Sequence, residues 1–332
     1  LAYKKTDILK NLYCLEPKKV VQSKRVINKI PPPSKMIEHL VLSGGANVGF
    51  AFSGALITLI KNNKLDIKKI KTIYGTSIGA LSAFYISLDY ELDQLETYLM
   101  DRPWKDLYKL DLTSIVNAIQ HGGMYGKESM IKTIEPLLKG KELSLDITLA
   151  EYYEYCKIEI HMYATEYKEL KIVDISHKTH PHWKLIDAIY ASCCLPILFT
   201  PLCYDNSYYI DGAVLMNYPL APCLDEGHDP ETVLGIYHNT NKEIKELRMA
   251  SPFLESSSGY KLIEYVMSLS LKMWTRVKHE KTEREKQVKN QISIVCPSDP
   301  YSIFKSFETK EERRRLYNIG ADTAIKMYEN EC

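Results

Sequence analysis

Two uncharged stretches dominate the hydrophobic pattern of this chain. Leu40 to Ile60 is 21 consecutive uncharged residues, and Ile73 to Leu88 is a further 16. On length alone the first could span a bilayer and the two together could form a membrane hairpin. The internal pattern argues otherwise. Gly44, Gly45, Gly49 and Gly54, with Ser43, Asn47 and Ser53, divide the first stretch into a β-like run, a glycine cluster and a run of helical period. Lipid-facing backbone does not tolerate such a break. The pattern predicts a buried strand over Glu38 to Leu42, a turn over Ser43 to Gly49 and a helix over Phe50 to Asn63. A second strand at Lys71 to Tyr74 and a helix at Ile78 to Leu88 follow, so the chain opens as βαβα, the pattern of a parallel sheet with right-handed crossovers.

Downstream, residues 91–140 read as helical, with Leu95, Leu99, Trp104, Leu107, Ile115, Ile119, Ile131, Ile134 and Leu138 mostly three or four apart. Alternating strands are expected at Ile158 to Thr165 and Leu170 to Ile175, a helix near Trp183 to Ser192, and strands at Thr232 to Tyr237 and Ile292 to Cys296. Ser257 to Lys289 reads as a long helix, apolar in its first half and a solvated charged face from Lys278. Thr309 and Glu312 form a capping box that opens a last helix to Tyr328. Pro31, Pro32 and Pro33 close an extended N-terminal segment. The expected organisation is an extension over 1–37 and one domain over 38–332.

Composition narrows the function classes. With 43 basic and 42 acidic residues among 332, the chain has no global charge signature of a nucleic-acid binder. Eight cysteines without a C-x-x-C pair are neither a disulfide framework nor a zinc motif. The expected setting is intracellular and cytoplasmic, with no transmembrane segment. His177, His180 and His182 do not have recognised zinc spacing, and no metal or cofactor is expected.

The chemistry resides in three places. Gly75, Thr76, Ser77, Ile78 and Gly79 form G-x-S-x-G between an apolar β-run and an amphipathic helix. Such an elbow needs small residues two before and two after the serine, and it leaves the hydroxyl at a helix N-terminus. Ser43 to Gly49 is a second glycine-rich strand-to-helix turn, whose free N–H groups suit an anion. It lacks the full G-x-G-x-x-G spacing, and no acidic residue closes the next strand as a dinucleotide fold requires. Asp211, in the run Tyr208 to Ala213, is the acidic candidate beside Gly212.

Leu40 to Leu59, Tyr74 to Ala83 and Ala191 to Pro222 together resemble the patatin-like phospholipases, with their glycine-rich oxyanion loop, G-x-S-x-G and distant D-G-[GA]. The resemblance implies a three-layer α/β/α sandwich with a mainly parallel central sheet. It implies Ser77 as nucleophile and Asp211 as base of a dyad, with Gly44, Gly45 and Ala46 as oxyanion donors and Gly49, Gly75, Gly79 and Gly212 as supporting motif positions. The implied activity is hydrolysis of fatty-acyl esters of phospholipid or other lipids at a peripherally contacted membrane, without a cofactor. Two departures stand out: Val48 replaces the family's basic residue, and Ala46 replaces a family glycine. Two other readings stay open. His238, at the end of an apolar β-run, would complete a Ser-Asp-His triad, and an inactive patatin-like module would only dock on a membrane or partner.

Overall fold

The computed structural model describes residues 35–239, 266 and 282–329. Among the described residues ten strands are placed: β1 (His39–Leu42), β2 (Thr72–Thr76), β3 (Gly123–Tyr125), β4 (Glu159–Glu166), β5 (Lys171–Ile175), β6 (Ile197–Phe199), β7 (Leu202–Tyr204), β8 (Ser207–Asp211), β9 (Val233–His238) and β10 (Gln291–Ile294). Eight form one sheet in the order β10-β9-β1-β2-β4-β8-β7, with β5 also paired to β4. The β10-β9-β1-β2-β4 segment is parallel, while β5 and β8 run antiparallel to β4, and β7 antiparallel to β8.

Both faces of the parallel strands are buried, which is why their sequences read as continuous apolar runs. Leu40, Leu42, Ile73, Met162, Leu234 and Ile236 face the larger core, built with α1 (Gly49–Lys61), α2 (Ile78–Ser87) and the helices Leu185–Cys193 and Lys310–Glu329. Val41, Tyr74, Tyr163 and Val233 alternate with them and face the other side, against the short helix Leu220–Asp225 and Val288. The sheet is thus flanked by helices on both faces. The 21-residue uncharged stretch divides into β1, a 3-10 turn at Ala46–Val48 and α1. Among the described residues no helix is long and apolar enough to cross a membrane.

Three expectations need correction. Residues 91–140 are not helical throughout: helices Leu92–Asp101, Trp104–Leu107, Leu112–His121 and Lys127–Gly140 are interrupted by β3. Gly122, with φ 77°, ends the third of these, and Gly123 to Tyr125 then pair in parallel with the distant β6. The charged end of the long helix is not α-helical over 282–289, where only a 3-10 turn at Glu285–Gln287 forms before Asn290 ties the chain to the Glu231 carbonyl. Its apolar half apart from Val266, and residues 1–34 of the extension, lie outside the described residues. At Thr309 half the capping box is made: Glu312 N–H donates to Thr309 Oγ1, whereas the Glu312 carboxylate pairs with Arg315.

Candidate active site

The register of β4 fixes the centre of the site. β2 runs parallel to β4 and ends with Thr76 opposite Tyr163. β8 runs antiparallel and ends with Asp211 opposite Ala164. Because β5 occupies the other edge of β4 at these positions, β2 and β8 share one edge and meet end to end. The elbow after β2 therefore delivers Ser77 to the place where Asp211 arrives from the opposite direction.

Ser77 has φ 55° and ψ −125°, the strained turn that a nucleophile elbow requires. The glycines permit close approach of backbones. A Cβ on Gly79 would lie 2.3 Å from the Leu42 carbonyl oxygen, and one on Gly212 would lie 2.2 Å from the Tyr163 carbonyl oxygen. Gly49 and Gly75 are similarly crowded, against the Ile78 side chain and the Ala80 backbone. Ser77 N–H donates to Ser192 Oγ at 2.9 Å, and Ser192 Oγ in turn donates to the Tyr163 carbonyl at 2.7 Å. The elbow is thereby tied to β4 through one buried hydroxyl.

Ser77 Oγ donates to Asp211 Oδ2 at 2.5 Å. The other carboxylate oxygen, Oδ1, accepts the Ala213 N–H at 2.8 Å. Asp211 is fully buried, and burial pushes its carboxyl up to about 7, opposed by the hydrogen bonds from Ser77 and Ala213. The result is a carboxylate basic enough to accept a proton near neutrality, in direct contact with a hydroxyl.

The glycine loop lies alongside: a Cβ on Gly44 would sit 3.3 Å from Ser77 Cβ. Gly44 N–H, however, donates to the Asn217 carbonyl at 2.9 Å, so it is already engaged. Among the described residues the Gly45 and Ala46 N–H groups carry no internal hydrogen bond. Ala46 has φ 49°, in the left-handed region that favours glycine, which accounts for the glycine the family carries there. Val48 is fully buried in the larger core, and Asn47 Nδ2 donates to the Pro297 carbonyl at 3.0 Å, so apolar packing and an amide hold the loop where the family carries a basic side chain.

His238 does not stand between Ser77 and Asp211, which bond directly. Its backbone N–H donates to Ser43 Oγ at 3.0 Å, and Ser43 Oγ donates to the Gly44 carbonyl. Its ring Nε2 donates to the Cys296 carbonyl at 3.1 Å. His238 thus braces the glycine loop from β9. His177 stacks on Tyr153, and His180 packs edge-on against Trp183. Among the described residues one group has its donors close enough for a metal ion, Glu159, His161 and Glu226. It lies toward the N-terminal ends of β2 and β4, away from Ser77, and Lys178 already pairs with Glu159 at 2.6 Å.

From Ser77 an apolar pocket runs into the helical layer, lined by Phe50, Leu81, Tyr85, Leu99, Trp104, Tyr108, Met130, Phe199 and Phe307. Ser77 itself lines this largely apolar pocket, so the hydroxyl-bearing residue borders it. Ser192 and the pocket aromatics were not singled out as site residues by the sequence, and Asn217 stood there only as part of the Ala191 to Pro222 block. Ser192 falls within the A-S-C-C run, but its link to Ser77 spans 115 positions and leaves no local signal.

A family model for patatin-like phospholipases matches residues 40–224. A protein named "Probable lipid hydrolase" from Invertebrate iridescent virus 6 is 30% identical over 188 residues, covering 56% of this chain and 63% of that protein. The matched part therefore spans less than two thirds of that relative's length. An uncharacterized protein of Acanthamoeba polyphaga mimivirus is 26% identical over 287 residues, covering 86% of this chain and 91% of its own length. Among solved structures, VipD from Legionella pneumophila shares the fold with a TM-score of 0.50 at 17% identity, over 90% of this chain and 67% of VipD. With the family model covering more than half of its length, the chain belongs to the patatin-like phospholipases.

Proposed function

We propose that the protein is a lipid acyl hydrolase of phospholipase A type that cleaves fatty-acyl esters through a Ser77–Asp211 dyad and an acyl-enzyme. The observation that carries this reading is the direct hydrogen bond from Ser77 Oγ to a buried, proton-accepting Asp211. As Ser77 Oγ attacks the ester carbonyl, its proton passes to Asp211 Oδ2 and the carbonyl oxygen becomes an oxyanion facing the Gly45 and Ala46 N–H groups. Collapse expels the alcohol, which takes the proton from Asp211, and leaves the acyl chain on Ser77 in the apolar pocket. Water then attacks the acyl-enzyme while Asp211 accepts its proton. Asp211 returns that proton to Ser77 as the fatty acid leaves. Every step uses groups of this chain and water.

Purified protein incubated with phosphatidylcholine vesicles and with triacylglycerol emulsions tests the reading. Release of free fatty acid and lysophospholipid, lost in Ser77→Ala, is the expected result. Equal release by folded Ser77→Ala, or no release from any acyl ester, would overturn it.

A further inference from the structure

The helix Leu112–His121 turns an apolar stripe to solvent. Leu112 is 74% exposed, Val116 46% and Ile119 79%, and Leu112 and Ile119 are the most exposed large apolar side chains among the described residues. Spacings of four and three place the three side chains on one line of the helix. Ser114 is the buried residue of this helix, so a serine faces the protein while leucine and isoleucine face outward. The helix is well formed: Asp111 and Ser114 make a complete capping box, and Gly122 caps the other end in the left-handed conformation. It contains no charged residue.

The segments that flank this helix along the chain reach the apolar pocket. Tyr108, just before the helix, lines the pocket. β3, just after it, pairs with β6, whose Leu198 and Phe199 line the pocket as well. β6 follows Cys194, whose carbonyl accepts the Asp211 N–H. The exposed helix is therefore joined, through its immediate neighbours, to the wall beside the dyad.

The geometry points to the Leu112–His121 helix as an interfacial anchor that lies in the surface of a lipid bilayer, with Leu112, Val116 and Ile119 inserted among acyl chains. This rests on the proposed lipid hydrolysis, which requires a lipid surface next to the pocket. Because the helix carries no charge, the attraction is apolar, and a zwitterionic phosphatidylcholine surface suffices.

Flotation with phosphatidylcholine vesicles tests the anchor in a Ser77→Ala background, where binding is read without hydrolysis, so its failure is distinguishable from failure of the proposed activity. Adding Leu112→Ser and Ile119→Ser should weaken binding by roughly tenfold or more. Binding of the parent should change little between about 0.05 and 0.5 M salt. In the active background the same double variant should hydrolyse a water-soluble short-chain ester within about twofold of the parent, which also shows that it folds. A separate Ile119→Trp variant should bind at least as tightly and shift its emission to the blue when vesicles are added. Unchanged flotation of the double variant would overturn the anchor, and so would binding that requires anionic lipid and vanishes in salt. A parent that is dimeric in solution and becomes monomeric on substitution would likewise overturn it, assigning the stripe to a second copy.

Discussion

Ser77 and Asp211 meet because β2 and β8 approach the same edge of β4 from opposite ends, Thr76 stopping opposite Tyr163 and Asp211 opposite Ala164. Backbone register, rather than side-chain reach, sets their 2.5 Å contact. A longer acid should therefore fail. Asp211→Glu adds one methylene in a fully buried position, and a displacement of about 1 Å is enough to cost roughly 10²-fold in rate. Steady-state turnover of a soluble ester should fall by at least that factor while the folded state persists. Near-parental turnover would show that the carboxylate is not held by register.

The pH profile follows from the raised carboxyl of Asp211, placed at about 7. The base must be ionised, so turnover should rise with pH through about 7 and level off above it. A histidine base would give a limb near its usual value of about 6.5, so position alone does not separate the two. Temperature does, because carboxyl ionisation is nearly athermal whereas imidazolium ionisation is strongly endothermic. The limb should stay in place between cold and warm assays, and a limb that moves to lower pH on warming would indicate an imidazole.

Stability should carry the opposite dependence. The folded carboxyl of Asp211 is raised from 3.8 to about 7, so the native state holds the proton more firmly than the unfolded chain does. Its contribution is fully present below pH 3.8 and is lost as pH rises through about 7. Asp211→Asn removes the ionisation, so its stability relative to the parent should rise between about pH 4 and pH 8, by a difference of order a few kcal/mol, read as a rise of its thermal midpoint relative to the parent's. Parallel midpoints across that range would contradict a buried, titrating Asp211.

The glycine positions make a paired test. Gly212→Ala would place a methyl 2.2 Å from the Tyr163 carbonyl oxygen, where β8 and β4 cannot both stay in place. It should lose both stability, by roughly 1–3 kcal/mol or more, and activity. Ala46→Gly relieves a residue at φ 49° and should leave turnover intact while raising stability by up to about 1 kcal/mol. Denaturant titration and ester turnover check both.

What the sequence revealed and what it concealed divide along contact range. β1, α1, β2 and α2, the elbow at Ser77 and the Asp-Gly turn at Asp211 are local patterns of period or of turn chemistry, and each stands where its residues indicate. β3 escaped because its three residues are strand only by virtue of β6, more than 70 positions away. Gly44 was expected to donate to an oxyanion, yet the Asn217 carbonyl takes its N–H, a backbone contact that the Ala191 to Pro222 block does not disclose. Ile119 fitted a helical period but faces solvent, since periodicity reports that a helix has an apolar side and not which way that side is turned. Full burial, invisible in the sequence, likewise raises the Asp211 carboxyl into the range where a histidine titrates.

The most direct test compares turnover of one soluble ester by three purified, folded variants. If Asp211 takes the Ser77 proton itself, Ser77→Ala and Asp211→Asn should each lose about three orders of magnitude or more, while His238→Ala, which keeps the backbone N–H that holds Ser43, should stay within about tenfold of the parent. A folded His238→Ala as inactive as Ser77→Ala would contradict the dyad and make the imidazole the base.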